Sequence, residues 1–415
     1  MSGNRMSGKA GVNAAESPAD LRAEVIRLGP WHIEVEITPE LTTRAFLEAS
    51  EGTYPESFGA LSFYSPRDGF VRKLLRVFPD GLEGRSVLDC ACNCGAYLFW
   101  AKELGAGECL GFDAREHWIE QARFLAKHRT GPGDDIRFEV CDLYDLPKLG
   151  LETFDVTLFN GIFYHLPDPV AGMKIAADLT RELLVVNTAT RNGLPDGLLA
   201  FSEEGLSELA SGIYGLNWFP TGPEVLSGIS SWLGFPATRC TRWRTIVQNQ
   251  PAELGRIDML AARDAGLFSS FDRPLDRAEL LDRVRAIVDV AVPPGSAVLV
   301  ASGGDDRLLE LRGRRAWPFP EAQEKQSRGG EWRRSSAAGI PGETLVEHLE
   351  RLRAAGPTHL LVPAPAFDWL ERQPDLRAHL ESRHTPVWRE HGVCLLFSLD
   401  EEGSPAARGA SSPHG

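Results

Sequence analysis

The chain has 415 residues, 43% of them hydrophobic, enough for two buried cores. A formal net charge of −14 disfavours a nucleic-acid partner, and with no run of eighteen apolar residues no membrane helix is expected. Seven cysteines, and a polar Gly/Ser/Ala-rich start without an apolar centre, read as reduced thiols in a cytoplasm rather than as a secreted chain.

In chain order, residues 1–27 read as a polar tail and lead-in segment. A unit over 28–265 follows, opening on Leu28-Gly-Pro-Trp-His-Ile33. Its first strand, Ser86–Cys90, runs into the small-residue turn Ala91-Cys-Asn-Cys-Gly95, and a second strand, Cys109–Asp113, ends on an acid. A third strand over 136–143 ends at Asp142 and Leu143. A fourth, from Phe154, carries Asn160 and Gly161 into a loop with Tyr164 and His165, and a fifth covers 181–188. Helical patterns at 95–104, 115–128 and 168–179 separate these strands, which predicts a doubly wound parallel α/β sheet. An insert over 190–220 has the length of a lid. Strands at 237–245 and 256–263 are expected as antiparallel edge strands, and Ser269–Pro274 as a hinge within a linker over 266–274.

Residues 275–399 read as a second, smaller α/β domain. Helices at 275–290 and 342–355 alternate with strands at 297–301 and 359–362, and two strands near 386–398 close it. Ser302-Gly-Gly-Asp-Asp306 follows a strand, where it suits either a ligand site or a plain strand-to-helix turn. Arg312-Gly-Arg-Arg315, with Arg328, Arg333 and Arg334, is the one basic cluster, and it reads equally as a solvated loop. The last residues, 400–415, are Gly/Ser/Pro/Ala-rich and expected to be a disordered tail.

The chemistry concentrates at the first turn. Small residues at Ala91, Cys92, Cys94 and Gly95 admit a ligand close to the backbone, and Asn93 and Gly95 enter the left-handed region at low cost. Asp113 stands where a carboxylate can accept hydrogen bonds from both hydroxyls of a ribose. A pyrophosphate beside Asp89 would be repelled, whereas a cation would be welcome; the alternative for Asp89 is a helix cap. Cys90, Cys92 and Cys94 lack a second Cys/His pair at ligand spacing, so they are expected to pack and no metal site is expected.

The order Asp-x-small-x-Asn-x-Gly resembles the first motif of the class I S-adenosylmethionine methyltransferases, with Ala91, Asn93 and Gly95 where three glycines are usual. The later strand ends follow in the same order. Leu28–Ile33, Gly215-Leu-Asn-Trp-Phe-Pro-Thr221 and Leu233-Gly-Phe235 are similar to the branch holding wobble-uridine tRNA methyltransferases and glycosyltransferase-associated relatives. The 275–399 unit resembles a module attached to many bacterial glycosyltransferases.

The resemblance implies a Rossmann-like fold and S-adenosyl-L-methionine as cofactor. It would be held by Asp89, Ala91, Cys92, Asn93, Gly95, Asp113, Asp142 (near the adenine amine), Leu143, Asn160 and Gly161. The tRNA enzyme of the branch holds a carboxylated cofactor partly through a lysine before the first strand; Asp68–Arg72 offers no equivalent, so ordinary S-adenosylmethionine is expected. His165 is the candidate base, or else a structural residue, and Tyr164 orients the acceptor or packs beneath it. Trp31, His32, Asn217, Trp218 and Phe219 are candidates for the acceptor wall, or for core. The expected acceptor is a small metabolite or glycan, methylated at oxygen. The runners-up are a tRNA wobble uridine and a non-catalytic cofactor-binding assembly subunit.

Overall fold

The computed structural model describes residues 17–50, 66–205, 211–245, 252–320, 323–325, 332–334 and 343–400. The tails at 1–16 and 401–415, and Arg328 of the basic cluster, lie outside the described residues. Twelve of the strands join edge to edge in one sheet. In chain order these are β1 (Val87–Cys90), β2 (Cys109–Asp113), β3 (Arg137–Val140), β4 (Phe154–Asn160), β5 (Thr180–Arg191), β6 (Ala237–Arg244) and β7 (Leu254–Ala262). They continue as β8 (Ala297–Val300), β9 (Arg315–Pro318), β10 (His359–Pro363), β11 (Thr385–Glu390) and β12 (Cys394–Ser398). Across the sheet the order is β9-β8-β10-β12-β11-β6-β7-β5-β4-β1-β2-β3.

The first five strands are mutually parallel, as their near-continuous apolar runs require of strands covered on both faces. The main helices are α1 (Pro18–Arg27), α2 (Arg67–Val77), α3 (Ala96–Glu103), α4 (Glu116–His128), α5 (Pro169–Asp178), α6 (Pro223–Trp232), α7 (Arg277–Ala291), α8 (Leu345–Ala354) and α9 (Pro374–Arg383). One apolar cluster joins Trp31, Leu98, Phe99 and Ile119; another, on the opposite face, joins Phe112, Phe159, Phe163 and Met173. No helix of the described residues is long and apolar enough to cross a membrane.

The structure corrects two expectations about organisation. β6 is no edge strand: it pairs antiparallel with β7 on one side and with β11 on the other, in the register Arg242 to Glu390 and Arg244 to Trp388. Two smaller sheets, 3-2-1-4-5-7-6 and its C-terminal partner, thereby become one. The segment read as a hinge is packed. Phe268 and Phe271 are buried against the first cluster, and Phe271 stacks on His391 at 5.1 Å.

Candidate functional site

At the carboxyl edge of β1, β2 and β4 the chain leaves a cavity of about 1100 Å³, its open mouth included. The floor is the turn after β1. Ala91 and Asn93 sit at φ 61° and 52°, and Gly95 at 78°, so three left-handed residues fold the chain back on itself. For Ala91 this costs roughly 1–2 kcal/mol, a strain that the turn's hydrogen bonds must offset. The Asn93 amide donates to Asp113 Oδ2 at 3.0 Å, the Arg115 amide donates to Asp113 Oδ1 at 3.0 Å, and the Cys94 amide donates to Asn93 Oδ1 at 2.8 Å.

Asp89 and Asp113 dominate the electrostatics. Asp89 is buried, and neither carboxyl oxygen has a hydrogen-bond partner among the described residues. Burial, reinforced by the charge of Asp113, pushes its pKa well above the usual carboxylate range. Burial also raises Asp113, to about 6, against the pull of the two amides that bond it. Two costly carboxyls side by side suit a ligand that brings positive charge and hydroxyl donors.

The cavity's lining includes His32, Ala91, Cys92, Asn93, Asp113, Asp142, Leu143, Asn160, Gly161, Tyr164 and His165 from the sequence reading. Asp89 and Gly95 are not among the lining residues. A Cβ on Gly95 would stand 2.6 Å from the Phe138 ring, so this glycine lets α3 approach β3 and does not face the cavity. Gly161, at φ 73°, has no atom within 4 Å of an added Cβ. Asp142 is already engaged on both oxygens: Oδ1 accepts the Tyr144 amide at 2.9 Å and Oδ2 accepts the Tyr214 hydroxyl at 2.6 Å.

Four acceptor-wall candidates do not line the cavity. Trp31 is fully buried, and its indole N–H donates to the Val25 carbonyl at 2.7 Å, which makes it core. Asn217, Trp218 and Phe219 lie on the hairpin strand Leu216–Pro220, whose alternation turns Asn217 and Phe219 inward, behind the site. Phe219 stacks on Tyr164 at 5.7 Å, and Trp218 packs on Phe201 at 5.2 Å. Cys90 at the end of β1 and Cys92 and Cys94 of the turn are buried thiols, and burial lifts Cys94 to about 12.

Several residues that line the cavity, or support those that do, were not singled out in the sequence. Glu204 Oε2 lies 2.9 Å from His165 Nδ1 and accepts the Gly212 amide at 2.8 Å. A carboxylate facing Nδ1 favours the Nδ1–H tautomer, in which Nε2 is the free lone pair. Arg115 donates to the Ser211 carbonyl at 2.9 Å, and Tyr214 reaches Asp142, so the segment Ser211–Tyr214 is clasped over the cavity from two sides. Arg256 stands 5.7 Å from the Tyr164 ring centre. Asn187 also lines the cavity, and its amide bonds Asp258, which Arg242 grips and Lys73 approaches to 4.0 Å. Lys73 directly follows Asp68–Arg72, the stretch that holds no lysine. Arg242 and Lys73 together hold the Asp258 carboxyl below the usual range despite its burial.

Residues 82–214 match the family described as "Methyltransferase domain", which bears out the resemblance read from the motifs. A tRNA U34 carboxymethyltransferase of Campylobacter hominis is 40% identical over 101 residues, 24% of this chain and 34% of that one. The enzyme of the same name from Alteromonas mediterranea is 26% identical over 163 residues, 38% of this chain and 47% of its own. The chain thus spans about a third to a half of the length of these curated relatives. Among solved structures, the N-terminal domain of EvdMO1, crystallised with S-adenosylhomocysteine and D-fucose, is 18% identical, covering 60% of this chain and 97% of that one at a TM-score of 0.46. The expectation against nucleic acid is overturned by the relatives, whose names place them on a tRNA. Net charge was the wrong measure, because a sum over 415 residues says nothing of local potential.

Proposed function

We propose that this chain, whose residues 82–214 form an S-adenosylmethionine-dependent methyltransferase domain, alkylates an oxygen held beside His165. The observation that carries the reading is the pair of buried carboxyls, Asp89 without a hydrogen-bond partner among the described residues and Asp113 raised to about 6. A pyrophosphate cofactor would be repelled there. The residues fit the cofactor: Asp113 for the ribose hydroxyls, Asp142 and Leu143 for the adenine, Ala91 to Asn93 for the backbone approach, and Asn160 with Gly161 for the methionine side. When bound, S-adenosylmethionine supplies a methyl group on an activated sulfonium leaving group.

The protein's own part is alignment and proton removal. His165, its tautomer fixed by Glu204, takes the acceptor's proton at Nε2. Tyr164, backed by Phe219, orients the acceptor. The clasped segment Ser211–Tyr214 keeps water from the reacting atoms.

The names of the relatives make U34 of a tRNA the first acceptor to test. A small metabolite or glycan is the second, favoured by the segment closing over the cavity, which suits a molecule that enters whole or as a chain end. A cytoplasmic setting belongs to the same reading and is supported by seven cysteines that are all thiols. Methyl-labelled cofactor is incubated with the protein and either total tRNA or the low-mass fraction of a cell extract. Label in tRNA supports the first acceptor, and label in the extract the second. Absence of label in both, with cofactor demonstrably bound, defeats the reading.

A further inference from the structure

Far from the cavity, two histidines of the C-terminal half converge on one carboxylate. His379 Nε2 lies 2.9 Å from Glu350 Oε1, and His384 Nε2 lies 3.3 Å from the same oxygen. All three atoms fall within 4.8 Å of one another, the one such His/Cys/Asp/Glu group among the described residues. Glu350 comes from α8, His379 from α9, and His384 from the residue that ends α9 just before β11. A four-coordinate zinc ion, with bonds of about 2.0–2.1 Å, sets its ligand atoms about 3.3 Å apart. Two of the three edges of such a face are therefore already near length.

We propose that Glu350, His379 and His384 form a binding site for a zinc-class divalent transition metal ion, with water completing the coordination. Two imidazoles and a carboxylate are a donor set for zinc and its neighbours rather than for magnesium or calcium, which take oxygen ligands. The site is reachable: the Glu350 side chain is 32% exposed and His379 19%, while His384 is buried at 6%. Arg353 holds the other Glu350 oxygen at 2.7 Å, which fixes the carboxylate's orientation and leaves Oε1 to the ion. The ion's role follows from its place. It pins α8 and α9 to the root of β11, the strand that joins the C-terminal half to β6. The absence of a metal was expected from the cysteines of the first turn alone, whereas here the carboxylate lies 29 and 34 residues before the two histidines.

The test uses the full, untagged chain after chelator treatment. Calorimetric titration with zinc chloride is expected to show one site per chain, and cobalt in its place to give the visible bands of a four-coordinate ion. His379→Gln and His384→Gln are each expected to weaken zinc binding at least about 30-fold. Zinc is expected to raise the melting temperature of the parent but not of the variants. His379→Gln, altering a partly exposed group, keeps the test open should His384→Gln fail to fold. No zinc binding to the parent overturns the proposal, and so does binding unchanged in a folded His379→Gln variant, which would hand the ion to cysteine thiols.

Discussion

The turn after β1 and the turn after β8 each follow a fully buried four-residue strand flanked by parallel neighbours. Both pass through the left-handed region, the first at Ala91, Asn93 and Gly95, the second at Gly303 and Gly304. Their acids differ. Asp89 is buried with no partner among the described residues, and burial pushes its carboxyl up. Asp305 is clasped by Arg277 at 2.9 Å and accepts the Arg307 amide at 3.2 Å, and the Arg277 bond holds its carboxyl down. A glycine-rich turn at a strand's carboxyl end is thus no site by itself. What distinguishes the first is an ionisable group that the protein alone leaves costly, and that a cationic ligand would relieve.

The contrast can be broken most forcefully at the reacting end. His165→Ala is expected to lower kcat by about 100-fold or more while leaving cofactor affinity within about threefold. A parallel loss of stability, seen as a lowered melting temperature, would reassign His165 to packing. Next comes the floor. Asp113→Ala is expected to weaken binding of S-adenosylhomocysteine by about 100-fold, two charge-assisted hydrogen bonds' worth. Asp305→Ala, in the second turn, is expected to change it less than about twofold. Equal effects in calorimetry would erase the distinction between the turns.

The raised acids make two smaller, signed predictions. Ribose hydroxyls bond the ionised form of Asp113, so cofactor affinity should rise with pH up to about 6 and flatten above it. Affinity that is level from pH 5 to 8 would refute this. For Asp89 the folded pKa lies above the unfolded one, so its contribution to stability is full below the unfolded value and is lost as pH rises. Asp89→Asn escapes that loss. The cofactor-free variant should therefore melt a few degrees higher than the parent at pH 7.5, with a smaller gain at pH 5. A variant less stable than the parent at both values would show that Asp89 is satisfied in the fold.

How much of this was legible follows from distance along the chain. Strand ends such as Asp89, Asp113 and Asn160 announce themselves because each closes an apolar run of period and length typical of buried parallel strands. Glu204 reaches His165 across 39 residues, and Arg115 reaches Ser211 across 96, with no local pattern to mark either pair. Two of the aromatic candidates fall on the second of their two readings, core. Trp31 and Phe219 have the composition of a binding wall, but burial of large apolar area makes aromatics core residues first. The pairing of Arg242 with Glu390, between strands from different halves, left no trace in sequence because register is set by partners rather than by spacing.

That shared seam bears on how the molecule can be taken apart. A fragment stopping at 274 would strip β11 away and bare the backbone donors and acceptors of Arg242 to Arg244 as a raw rim. Such a rim recruits strands from other copies, so the excised fragment is expected to clump where the intact chain does not. The C-terminal half acts, in this respect, as a built-in selvedge for the N-terminal one.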